Sequence, residues 1–127
     1  MLERFPVRVR LPASDIERAK AWYQEKLGVS PKKEHMNHLV FEFGSGTEIL
    51  VYPSPVTAGT AKNTQAEISV QGIESVMDDL RARGLQFEEY DLGQMKTENG
   101  LLQSPLGKSA WFKDSEGNTV QISELNF

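Results

Sequence analysis

Two arginines, two glutamates, two histidines and a tryptophan are the residues of this chain whose types and spacing point to chemistry. Arg8 and Arg10 stand two apart in an alternating run with Val7, Val9 and Leu11. A pair of guanidinium forks on one strand face suits a ligand carboxylate or phosphate. The same arginines can instead pair with Glu48 and Glu67 inside the protein. Glu67 is the first candidate for a general base in metal-free proton abstraction, because a partly buried carboxylate can have its pKa raised towards neutrality. Glu48 is the second, and the competing role for both is that of an ion-pair partner. His35 and His38 flank Met36-Asn37 and are expected opposite each other across a two-residue turn. No further ligand is close in sequence, so surface hairpin histidines are expected there rather than a metal site. Trp111 either lines a cleft or plugs the core, whereas Trp22 and Tyr23 follow helical spacing and are expected to pack the first helix.

Composition narrows the partners. The 127 residues suit one compact domain, and 39% hydrophobic with 25% charged residues is an ordinary balance for a folded chain. Fourteen basic against eighteen acidic residues, a net charge of −4, supply no cationic surface for phosphate backbones or anionic lipids. No nucleic-acid or membrane partner is expected. The absence of cysteine excludes disulfides, thiolate ligands and cysteine nucleophiles together. Residues 1–15 include Glu3, Arg4, Arg8, Arg10 and Asp15 and lack the apolar core of a secretion signal, so a cytoplasmic location is the expectation.

The elements that must position these residues follow from periodicity. Phe5 to Leu11 alternates as a half-buried strand. Ser14 with Glu17 three residues on reads as a capping box, Ile16, Ala19, Tyr23 and Leu27 recur at helical spacing, and Gly28 can take the left-handed position that ends a helix. Two strand-like runs then meet at Met36-Asn37, and Leu39 to Phe43 leads through Gly44-Ser45-Gly46 into Glu48 to Tyr52. After a linker of about residues 54–63 the order begins again, with a strand around Ala66, Ile68 and Val70 and a helix through Ile73, Val76, Met77 and Leu80 that stops at Gly84. An offset of 57 superposes Ile16 on Ile73, Glu17 on Glu74, Ala19 on Val76 and Tyr23 on Leu80. An offset of 71 superposes Phe41 on Phe112, Gly46 on Gly117, Ile49 on Val120 and Val51 on Ile122. Matches at fixed offsets imply duplication, with the extra residues in one long loop, about Leu92 to Lys108, of the kind often used as a lid or binding loop. The expected fold is α+β, one domain of two βαβββ modules (about residues 4–53 and 64–127), each sheet with its apolar face on its own helix.

Three stretches resemble the vicinal oxygen chelate superfamily, which includes glyoxalase I, bleomycin-resistance proteins and extradiol dioxygenases. They are Leu11 to Ala19 followed by Trp22-Tyr23 and Leu27-Gly28; Val70 to Gly84; and Trp111-Phe112-Lys113-Asp114-Ser115-Glu116-Gly117-Asn118 before the last strand. The resemblance implies curved mixed sheets around a cleft, with metal ligands on the first and last strand of each module. Under the two offsets those four places are Arg8, Leu50, Gln65 and Gln121. Arginine and leucine offer no lone pair, and glutamine oxygens are weak ligands without carboxylate or imidazole beside them. No metal or cofactor is therefore expected.

Parity places Arg8, Arg10, Glu48, Leu50, Tyr52, Gln65, Glu67, Ser69, Thr119, Gln121 and Ser123 on the faces away from the helices, where they either meet water or line a small-molecule site. The expected ligand-binding set is Arg8, Arg10, Leu50, Tyr52, Gln65, Glu67, Trp111 and Gln121. The expected function is metal-independent binding of a small organic molecule between the sheets of a homodimeric protein. The alternative is an enzyme of the lyase, isomerase or dioxygenase kind, acting through a carboxylate acid/base or an unrecognised metal site.

Overall fold

The structure, a computed structural model, describes all 127 residues. Its elements run β1 (Val9–Ala13), α1 (Ile16–Trp22), continued to Gly28 by a π-helical turn (Tyr23–Leu27) rather than by the expected α-helix, β2 (Lys33–His35), β3 (His38–Phe43), β4 (Thr47–Pro53), β5 (Ala66–Ser69), α2 (Ile73–Ala82), β6 (Leu102–Ser104), β7 (Gly107–Lys113) and β8 (Thr119–Leu125). The strands form two four-stranded sheets of identical topology, β1-β4-β3-β2 and β5-β8-β7-β6, each with one parallel and two antiparallel pairings. Two βαβββ modules in tandem are thus present. Both offsets survive as register: Phe41 faces Ile49 as Phe112 faces Val120, and Leu11 pairs with Val51 as Ile68 pairs with Ile122. No helix is long and apolar enough to cross a membrane.

The contacts divide the chain into two units, residues 1–60 with 115–118, and residues 61–114 with 119–127. In the first, Leu11, Ala13, Ala19, Tyr23, Leu39, Phe41, Ile49 and Val51 are buried, and the Tyr23 ring stacks on Phe41 with centroids 4.7 Å apart. In the second, Ala66, Ile73, Met77, Ala110, Phe112, Val120 and Ile122 are buried, and Phe87 meets Phe112 edge to face at 6.2 Å. Alternate residues of each strand supply these cores, as a sheet with one face on a helix requires.

Three local expectations are corrected. Strand β1 starts at Val9, not Phe5; Leu2–Arg4 forms a 3₁₀ turn and Val7 is 86% exposed. The only partner of β1 is β4, and in the register Val9 to Ile49 residue 5 falls opposite the Gly44-Ser45-Gly46 turn, where no ladder is available. The cap of α1 is Asp15, whose carboxylate accepts from the Arg18 backbone N–H at 3.0 Å. Ser14 is diverted, because its N–H and hydroxyl both donate to Glu116 (3.0 and 3.2 Å). The stretch of residues 92–108 is not a structureless loop: it holds β6, paired to β7 as β2 is to β3, and the Asp91–Lys96 and Glu98–Leu101 bridges fold back its approach.

The helices start in different ways. At α1, Glu116 has a fully buried side chain that accepts from the N–H groups of Ser14 and Asp15 (3.0 and 2.9 Å) and from the Arg18 guanidinium (both at 2.9 Å). Burial alone would raise its pKa, but Arg18, Ser115 and the Asp15 N–H hold it down at about 2. At α2, Gly72 takes a left-handed conformation (φ 69°) and the Glu124 carboxylate accepts from the N–H groups of Gly72 and Ile73 at 3.0 and 3.1 Å. Each carboxylate sits where the helix leaves backbone donors unpaired.

Candidate functional site: the helix-free sheet faces

On the first sheet, strand alternation turns Arg8, Arg10, Glu48, Leu50 and Tyr52 to the side opposite Leu11, Phe41 and Val51. Arg8 donates to Glu48 through Nε and Nη2 (2.9 and 2.6 Å), and Lys32 Nζ reaches Glu48 at 2.5 Å and Glu42 at 3.2 Å. The hydrogen bonds of Lys32 and Arg8 hold the Glu48 carboxyl below the usual carboxylate range, the direction of an ion-pair partner rather than a proton acceptor. Lys32 was not singled out in the sequence, since it precedes β2 and only its backbone hydrogen bond to Val40 brings it to the sheet. The Arg10 guanidinium lies 4.8 Å over the Tyr52 ring. Leu50, cross-strand to both Arg10 and Val40, is buried.

On the second sheet the corresponding face is a closed hydrogen-bond network. The Gln121 side-chain oxygen accepts from the Trp111 indole N–H at 3.0 Å, and the two hydrogens of its amide nitrogen are shared among Ser123 (2.7 Å), Ser109 (3.1 Å) and Glu67 (3.2 Å). Ser123 also donates to Glu67 at 3.2 Å and lies 3.0 Å from the Ser109 hydroxyl. The indole N–H is shared with Thr64, and Tyr90 packs edge-on to the ring at 5.7 Å. The Gln65 side-chain oxygen accepts from the Thr119 N–H at 3.0 Å. Burial raises the Tyr90 hydroxyl above its usual pKa. Ser109, Tyr90 and Thr64 were missed in the sequence. Ser109 was recoverable, because it stands two residues before Trp111 and so shares its face, and β7–β8 pairing sets it opposite Ser123; Tyr90 lies in an irregular segment with no period to read.

Of the expected site residues, Arg10, Glu48, Leu50 and Tyr52 thus share one sheet with Arg8 just ahead of β1, and Glu67, Trp111 and Gln121 share the other with Gln65 just ahead of β5. Trp111 is buried at 8% exposure with its indole N–H bonded on the helix-free side. His35 and His38 do face each other across the β2–β3 turn, whose Met36 and Asn37 both have positive φ. The His38 Nδ1 is 2.9 Å from the Met36 carbonyl and must donate to it. No three His, Asp or Glu side chains come together in a way that could hold a metal ion.

The model of the Glyoxalase/Bleomycin resistance protein/Dioxygenase superfamily matches residues 6–122. The chain belongs to that superfamily. Comparison with curated protein sequences finds no match. Among solved structures, a bleomycin-binding protein complexed with bleomycin superposes with a TM-score of 0.71 at 16% identity, over 94% of this chain and 97% of that one. TnmS3, an antibiotic-binding protein from Streptomyces sp. CB03234, gives 0.70 at 19% identity over 96% and 98%. The oxidase ChaP-H2 gives 0.66 at 16% identity over 97% and 96%. At these identities the likeness is one of fold.

The residues at the places where the resemblance implies metal ligands are poor donors. At the four equivalent places, the Arg8 guanidinium is held by Glu48, Leu50 has no donor atom, and the side-chain oxygens of Gln65 and Gln121 already accept hydrogen bonds from Thr119 and Trp111.

Proposed function

We propose that this member of the superfamily binds a small organic molecule on the helix-free faces of its sheets without a metal, as a cytoplasmic homodimer. The observation that carries the reading is the engagement of Gln65, Gln121 and Arg8 by Thr119, Trp111 and Glu48. These places are built as a polar and aromatic surface rather than as a chelate, and a few fixed polar groups beside aromatic rings is the usual make-up of a small-molecule site. The bleomycin-binding and antibiotic-binding proteins of the same fold indicate where a ligand panel should start. A second reading rests on Glu67, which accepts only from Gln121 and Ser123 and has no cation partner: it is the available proton acceptor if the bound molecule is also turned over.

The test is a thermal-shift screen of bleomycin, other antibiotics and small aromatic carboxylates, repeated on Arg8→Ala, Gln121→Ala and the exposed control Lys33→Ala. The Arg8 and Gln121 variants are expected to keep the fold and to lose affinity for hits, by about 1–3 kcal/mol where a buried ligand group is left unpaired. Unfolding of both, or binding equal to that of the control, contradicts the reading. Light scattering after size exclusion is expected to report twice the 14.3 kDa chain mass, and a monomer at micromolar concentration contradicts the dimer.

A further inference from the structure

The two modules place different chemistry at equivalent positions. The offset of 57 pairs Arg10 with Glu67, and the offset of 71 pairs Leu50 with Gln121 and Tyr52 with Ser123; the sheets confirm the equivalence, Arg10 lying beside Leu50 as Glu67 lies beside Gln121. In the second module these side chains satisfy one another, Glu67 accepting from both Gln121 and Ser123. In the first module Arg10 has no such partner. It makes no hydrogen bond or ion pair, and its contact is the Tyr52 ring 4.8 Å beneath its guanidinium. The other two cations of that face are already committed, Arg8 to Glu48 and Lys32 to Glu42 and Glu48.

The Arg10 guanidinium carbon lies 4.8 Å from the centre of the Tyr52 ring, and a guanidinium with no acceptor of its own keeps its N–H fork available to two oxygens of a carboxylate or phosphate. The ring contact also restricts a side chain that would otherwise lose rotamer freedom on binding. Every neighbouring carboxylate of this face, Glu42 and Glu48, is occupied by Lys32 and Arg8, so no internal anion competes for the edge of Arg10. We infer that the Arg10–Tyr52 pair is an oxyanion-reading subsite, and that the molecule this protein binds carries a carboxylate or a phosphate monoester which Arg10 receives. The inference rests on the ligand-binding reading above and adds the charge class of the ligand and the residue that selects it.

The probes are benzoate, phenyl phosphate and the neutral isostere benzamide, titrated into the full chain and followed by NMR at the Arg10 Nε–H resonance. One or both anions are expected to bind at least about tenfold more tightly than benzamide, a ratio expected for one charge-assisted pair, and to lose affinity as salt is raised. Whichever of benzoate and phenyl phosphate binds better assigns the oxyanion. Arg10→Gln is expected to abolish the preference for anions, Arg10→Lys to keep part of it, and Tyr52→Phe to keep all of it because the stacking surface remains. Arg10 is exposed, so these variants are expected to melt with the wild type, and the melt is recorded for each. Benzamide binding as tightly as both anions, or Arg10→Gln retaining the anion preference, overturns the oxyanion assignment and leaves the ligand-binding reading standing. Failure of all three probes and of the antibiotic panel to bind overturns both.

Discussion

The first and second modules share strand order, register and core, yet their helix-free faces carry different chemistry. Phe41 and Phe112 occupy equivalent places and are both fully buried, one stacked on Tyr23 and the other edge-on to Phe87. Across the same strands, Arg10, Leu50 and Tyr52 in one module stand where Glu67, Gln121 and Ser123 stand in the other. Positions that face a helix keep their apolar character because a one-residue slip or a polar swap there exposes the core. Positions on the other face are not held to an apolar character, and it is there that the two modules differ, with an internal hydrogen-bond network in one and an Arg10–Tyr52 contact in the other.

The largest effects test the shared half of the comparison. Phe41→Ala and Phe112→Ala are each expected to lose about 3–5 kcal/mol in urea unfolding, and a large loss in one with a small loss in the other would break the equivalence of the two cores.

The helix starts come next. Glu116→Gln leaves the helix backbone donors and the half-exposed Arg18 guanidinium without their carboxylate and is expected to cost on the order of 2 kcal/mol at pH 7, whereas Glu124→Gln, at a half-buried cap with no arginine partner, is expected to cost less. The pH dependence separates the two further. The Glu116 pKa lies at about 2 in the folded protein against an ordinary 4.5, so its contribution is fully present above pH 4.5 and is lost as pH falls towards 2. Glu124 is also held low, by the N–H groups of Gly72 and Ile73, and acts in the same direction. Unfolding at pH 7 and pH 3 should therefore show a smaller acid loss in Glu116→Gln than in the wild type; an equal loss would mean that Glu116 does not anchor α1.

The two hairpin glycines give the smallest and most discriminating pair. Gly46 and Gly117 are equivalent and both have positive φ (94° and 85°). An added Cβ at Gly46 meets nothing within 4 Å, while at Gly117 it falls 2.9 Å from the Gly59 Cα. Gly46→Ala is expected to cost about 1 kcal/mol from backbone strain alone, and Gly117→Ala more, because backbone rather than a side-chain tip must yield. Equal melting temperatures would contradict that close approach.

How much of this was legible in the sequence follows from what each level depends on. The duplication, both helices and the hairpin turns were readable, because Ile73, Met77 and Leu80, or Phe41, Ile49 and Val51, recur at fixed spacing. The start of β1 was not, since Phe5 and Val7 alternate like a strand but have no partner ladder. Asp15 displaced Ser14 as the cap of α1 because Glu116, about a hundred residues on, takes the serine, and local patterns do not register so distant a partner. Parity correctly grouped the helix-free residues. It did not reveal that Gln121, Trp111, Ser109 and Glu67 satisfy one another, or that Arg10 lies on Tyr52 rather than in an ion pair.

The central claim, ligand binding at a site that holds no metal, is tested most directly by measuring one confirmed ligand's binding isotherm before and after exhaustive dialysis against a chelator, with elemental analysis of both samples. The account predicts less than stoichiometric zinc, nickel, iron or manganese in either sample and the same dissociation constant in both. One bound metal per chain, with binding lost on dialysis and restored by one equivalent of that metal, would contradict it.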